Sequence, residues 1–200
     1  MCKKIILVIN FLGICSGLFS QNTPTKKELK FYHEIYGIAI DSFLNTKPTF
    51  FFLVDSPDNR RIKDFNFTEL VDDLSRTKYT NLNSDWLDFL KECDNRKFFL
   101  QSFSLKPIKS IHSIKLTNKD TLFKILSEQY KPGNDLMNKY GWINGWMTIS
   151  NVILSKKKNK AIVEISHTIS SLNGQGAILL LQKGKKGKWI VIEKWRTWIA

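Results

Sequence analysis

Hydrophobic and polar positions divide this chain into three stretches of different character. Behind Lys3 and Lys4, an apolar run from Ile5 to Phe19 gives way to small residues ending at Ser20, the order of a secretory signal peptide over residues 1 to 20. The run spans 15 residues and is broken by Asn10. A bilayer core needs roughly 20 apolar residues, so an uncleaved anchor is the weaker alternative. A lipid on Cys15 is a third option, disfavoured by bulky Ile14 in front of it. The expected product starts near Gln21, is exported to the periplasm or the extracellular space, and has no stable membrane span.

From Thr25, which with Glu28 forms a capping box, Leu29, Tyr32, Tyr36, Ile40 and Phe43 recur every three or four residues. This is the stripe of an amphipathic helix that packs on a sheet, weakened in its middle by Gly37. Pro48 to Asp55 is an apolar run between turn residues, consistent with a strand buried on both faces. Short helices follow over Asn66 to Leu74 and Ser84 to Cys93, each opening on a residue that caps well. Phe98 to Phe103 and Ile108 to Leu116 read as strands separated by Pro107. Thr117 with Asp120 caps a helix through Leu122, Ile125 and Leu126, which Pro132-Gly133 stops, and a last helical turn covers Asn134 to Tyr140.

From Trp146 the period changes from helical to two. Trp146 to Leu154, Ala161 to Ile169, Ala177 to Lys183 and Lys188 to Ile199 read as four strands, joined by KKKNK, SSLNGQG and GKKG. Connections this short allow only antiparallel neighbours, so residues 146 to 199 should form a four-stranded meander. Ala161, Val163, Ile165 and Ile169 share one face, while Glu164, Ser166 and Thr168 share the other, which is expected to be partly wet. Helices and short strands followed by an antiparallel sheet define an α+β domain over residues 21 to 200.

Composition changes this picture in two places. Removal of the signal peptide takes Cys2 and Cys15, leaving Cys93 alone, so an intrachain disulfide is excluded and packing must hold the fold. Cys93 shares a helical face with Trp86, Phe89 and Leu90, which places it in the core. The formal charge is +13, from 31 basic and 18 acidic residues. That balance invites an acidic polymer or an anionic surface as partner, although Arg, whose fork carries specific phosphate contacts, occurs only at 60, 61, 76, 96 and 196.

The closing segment carries Ser150 to Val152, Ala161 to Val163, Leu172 to Gly176, Gly187 to Trp189 and Trp198-Ile199. In this order they resemble the C-terminal part of a family of small exported bacterial proteins of unknown function, some of which carry Cys where this chain has Asn173. The resemblance implies export and a C-terminal meander, and no activity. Helices followed by a curved sheet are also loosely similar to the nuclear-transport-factor-2-like cone, a fold that hosts both enzymes and plain binding domains.

Candidate chemistry is sparse. His33, His112 and His167 belong to no spaced metal set, and no nucleophile elbow, phosphate loop or complete dinucleotide fingerprint is present, so neither a metal nor a cofactor is expected. His167 is a possible pocket residue, but strand alternation turns it away from Ser166 and makes a dyad of the two awkward. Gly174-Gln175-Gly176 reads as part of a hairpin turn. Trp142, Trp146, Trp189, Trp195 and Trp198 read as core and rim packing in preference to a stacking platform. The first and third turns of a meander share an end, which gathers Lys156, Lys157, Lys158, Lys160, Lys183, Lys185, Lys186 and Lys188 at one rim, a candidate polyanion site. Two functions stay open: a non-enzymatic exported binding protein whose partner is an acidic polymer or an envelope protein, including an inhibitor of an envelope enzyme, and an enzyme or small-ligand carrier with its pocket on the concave face of the sheet.

Overall fold

The computed structural model describes residues 26–44, 50–55, 57–58, 62, 64–76, 82–94, 105, 108–129, 145–170 and 173–199. The signal-peptide segment, the strand expected over 98–103, the helical turn over 134–140 and Trp142 lie outside the described residues. The elements in chain order are α1 (Lys26–Leu44), β1 (Phe50–Val54), α2 (Phe67–Arg76), α3 (Ser84–Asp94), β2 (Ser113–Thr117) and α4 (Lys119–Gln129). They continue with β3 (Trp146–Ile149), β4 (Ile153–Leu154), β5 (Lys160–Ser170), β6 (Asn173–Lys183) and β7 (Trp189–Ile199). This is an α+β fold.

The C-terminal strands form the expected antiparallel meander, and the sheet continues beyond it. Its order is β2-β1-β3-β5-β6-β7, with β4 paired to β5 next to β3. β1 lies parallel to both β2 and β3. Parallel neighbours require long crossovers, and α2, α3 and α4 occupy those connections. The seven-stranded sheet is therefore mixed.

Alternation along each strand distributes side chains between two covered faces. On one, Phe51, Leu53, Met147, Ile149, Ala161, Val163, Ile165, Leu179 and Leu181 join the α1 stripe of Tyr36, Ile40 and Phe43. On the other, Ile153, Ile162, Ile178 and Leu180 pack under α2 and α3, with Trp86, Phe89, Leu90 and Cys93 buried from α3. Phe52 and Val54 pack under Leu122 and Ile125 of α4. β1 is thus buried on both faces, as its unbroken apolar run requires.

Several boundaries depart from the sequence pattern, each for a local reason. Trp146 to Leu154 is not one strand, because three residues of this chain stand opposite Val163 and Glu164 of β5. Ser150 spans the irregularity: its N–H donates to the Glu164 carbonyl and its hydroxyl oxygen accepts the Glu164 N–H, both at 2.9 Å. Residues 108–112 are not strand. They lie on α1, where the Ser110 hydroxyl and the Ile111 N–H (3.1 Å) donate to Asp41 Oδ1. A Cβ at Gly37 would stand 2.0 Å from the Lys109 carbonyl oxygen, so the mid-helix glycine admits this crossing chain. Helix α4 is capped by Asn118, whose Oδ1 accepts the Thr121 N–H at 2.7 Å, and not by Thr117. Asn83, and not Ser84, caps α3 through the Trp86 N–H at 3.2 Å.

Candidate functional site

The second face of the sheet is covered at both sides and open between. α2 and α3 lie over the β4–β7 side, α4 lies over β1, and the outer halves of β3 and β5 carry polar side chains in the gap. There Thr148 and Ser166, cross-strand partners, share a 2.7 Å hydrogen bond between hydroxyls in which either can donate. Thr168 stands beyond Ser166, opposite Trp146, and Glu164 precedes it on the same face with only 5% of its surface exposed. The far wall is Trp198 of β7. Asp58 enters from the segment after β1, held by donation of its N–H to the Ile149 carbonyl at 2.7 Å. Together with Ser150, these residues line a cleft of about 300 Å³, at the small end of the range of ligand pockets.

Trp198 reaches this face because β7 is bulged. Gly176 pairs with Trp198 while Ala177 pairs with Arg196, leaving Thr197 as the extra residue. In a regular strand Trp195 and Trp198, three positions apart, would point to opposite faces; the extra residue returns Trp198 to the face of Trp195. Its indole lies flat across Gly174 and Gly176. A Cβ on Gly176 would meet Nε1 at 2.0 Å, and one on Gly174 would meet the far side of the ring at 2.9 Å.

This corrects the assignment of Gly174-Gln175-Gly176 to a turn. All three lie in β6, paired with Thr168, His167 and Ser166. Neither glycine has a positive φ, which among the described glycines is confined to Gly145 and Gly187. Gly174 and Gly176 form the seat of Trp198.

His167 is buried, with Met147 and Gln175 as its cross-strand neighbours. Met147 belongs to the α1 core, so His167 lies on the face away from the cleft, and it is absent from the cleft lining. Among the described residues no group of three or more His, Cys, Asp or Glu could hold a metal ion. Of the tryptophans, Trp189 is buried in the α1 core and Trp195 packs against the α2–α3 core, while Trp146 and Trp198 line the cleft.

The lysine rim forms around the expected pair of turns, which the Lys183 N–H joins by donating to the Asn159 carbonyl at 2.9 Å. Lys156, Lys157, Lys158, Lys185, Lys186 and Lys188 are exposed there. Lys160 is not at the surface. It stands over the Trp86 ring at 5.3 Å with its Nζ 4.0 Å from Asp85, and burial lowers its pKa while Asp85 opposes that shift. Lys183 is half-buried, 4.1 Å over the Phe31 ring and 5.2 Å over the Trp189 ring. Lys156 pairs with Glu92 of α3 at 2.7 Å.

The cleft residues escaped the sequence reading, although their signal was present: Glu164, Ser166 and Thr168 form the polar stripe of β5. What the pattern did not reveal is that helices would close over both sides of that stripe. No family model, no curated protein and no solved structure matches the chain. No helix among the described residues is long and apolar enough to cross a membrane.

Proposed function

We propose that this chain is an exported binding domain that takes a small polar molecule into the cleft between α4 and the α2–α3 pair. The observation that carries the reading is the interruption of an otherwise apolar sheet face by Thr148, Ser166, Thr168 and Glu164 between two tryptophans. Polar side chains gathered on one stretch of an otherwise apolar face, at the floor of a concave cleft, are the kind of groups that orient a small polar ligand. A thermal-shift screen of small polar metabolites against the protein lacking residues 1 to 20 tests it. At least one compound should raise Tm by several degrees, as expected for a ligand well above its Kd. Ser166→Leu, which fills the cleft, should abolish that rise. A screen in which no compound discriminates the parent from Ser166→Leu overturns the reading.

A second reading keeps the lysine rim as a site for an acidic polymer. It is favoured by the hydrogen bond between Lys183 and Asn159, which sets two lysine-rich turns side by side. The two readings use different surfaces and can be tested separately.

A further inference from the structure

We infer that the flank of α1 turned away from its core stripe binds a free fatty acid, a long alkyl chain ending in a carboxylate; this site is separate from the cleft and from the lysine rim. Tyr36, Ile40 and Phe43 press one side of α1 into the first face of the sheet. Along another side lies a groove of about 590 Å³ with a mostly apolar wall. It follows the helix from Lys26 to Ile38, about three turns. At its far end the chain crosses the helix: the Lys109 carbonyl lies against Gly37, and Lys109 joins the lining. Ile38 packs partly on the α1 core. Leu29, which opens the apolar stripe in the sequence, belongs to none of the three cores among the described residues and lines the groove instead. An alkyl chain laid on these two side chains removes apolar surface from water.

The charges around this wall select the head group. Lys26, Lys30 and Lys109 are exposed along the groove and enter no ion pair among the described residues, while Glu34 is the acid of the described lining. Lysine stems extend an apolar wall while their ammonium groups stay in water at its edge. An apolar floor edged by cations is complementary to a chain with one anionic end, and it repels a cationic amphiphile. His33 adds a polar contact inside the same lining. Its Nε2 is buried and has no hydrogen-bond partner among the described residues. Buried ring nitrogens are seldom left so, and a ligand carboxylate accepts from the tautomer that carries its hydrogen on Nε2.

Calorimetric titration of the protein produced from its full sequence, below micelle-forming concentrations, separates chain from charge with three probes: decanoate, hexanoate and decyltrimethylammonium. Each buried methylene is worth about fourfold in affinity, so decanoate should bind at least about tenfold more tightly than hexanoate. It should also bind at least about tenfold more tightly than the cation of the same chain length. Leu29→Gln should weaken decanoate several-fold, and it leaves the described cores intact. Lys30→Gln with Lys109→Gln should erase the preference over decyltrimethylammonium and keep the preference over hexanoate. Ser166→Leu, which fills the cleft, should change nothing; loss of decanoate binding in that variant would place the ligand in the cleft and overturn the groove. Equal binding of the anion and the cation, unchanged binding in Leu29→Gln, or no decanoate binding at millimolar concentration overturns the inference. Capture by phosphatidylglycerol vesicles without binding of free decanoate also overturns it, assigning the flank to a lipid surface.

Discussion

At the scale of single residues, the contact between Gly176 and Trp198 ties strand geometry to the cleft. An alanine methyl at 176 would stand 2.0 Å from the indole nitrogen, and the neighbour is a ring held across the backbone, not the end of a flexible chain. Gly176→Ala should cost about 1–3 kcal/mol in urea unfolding, the usual penalty of overpacking, and should weaken any cleft ligand by displacing Trp198. Cys93 should be chemically quiet: it is fully buried, and its thiol donates to the Phe89 carbonyl at 3.1 Å. Thiol labelling should be slow in the native protein and fast in denaturant, and fast native labelling would contradict the packing of α3. Lys160 provides a pH test. Burial holds its folded pKa below the ordinary 10.5, so between the two values the unfolded chain binds more protons and stability rises with pH. Lys160→Met lacks this gain. The stability of the parent relative to that variant should therefore increase as pH rises toward the ordinary 10.5, and a flat difference would show that the ammonium is not desolvated.

At the scale of elements, α2 and α3 are joined at their ends by Asp94. Its carboxylate accepts the Phe67 N–H at 2.7 Å and the Thr68 N–H at 2.6 Å, filling donors that the first turn of α2 leaves open, while Asn66 Oδ1 accepts the Glu69 N–H at 3.0 Å. Asp94→Ala should cost about 1–2 kcal/mol in chemical denaturation, more than an ordinary exposed carboxylate, since it removes a cap and a charge near a helix N-terminus. The loss of helix should be confined to α2 in hydrogen exchange. Local signals made α1, the cap of α2 at Asn66, the burial of Cys93 and the order of the meander legible in the sequence. Non-local pairings were not legible. No periodicity tells Phe50–Val54 that it will lie parallel to Ser113–Thr117 and Trp146–Ile149. Likewise the bulge at Thr197, which turns Trp198 into the cleft, is a property of two strands in register and leaves no mark on one. The glycines beneath Trp198 were visible as GQG, but a turn and a seat for an indole require the same residue.

At the scale of the whole molecule, the lysines of the described residues are unevenly placed: none lines the cleft, while the rim of the sheet carries two lysine-rich turns. The rim is itself uneven. α3 turns Asp85, Asp88 and Glu92 toward the first lysine turn across a pocket of about 510 Å³, and Lys156 and Lys160 are drawn to Glu92 and Asp85. Lys185, Lys186 and Lys188 of the second turn enter no ion pair among the described residues. Unpaired surface lysines release counterions when they meet a polyanion, so the second turn should dominate any such contact. On a heparin column, Lys185→Gln with Lys186→Gln should lower the eluting salt more than Lys156→Gln does. The fourfold variant at Lys157, Lys158, Lys185 and Lys186 should lose most of the retention. The competing account is that charged hairpin tips only discourage strand edges from associating. It predicts that the parent is not retained, or that the fourfold variant elutes where the parent does, and either result removes the rim as a binding surface while leaving the cleft untouched.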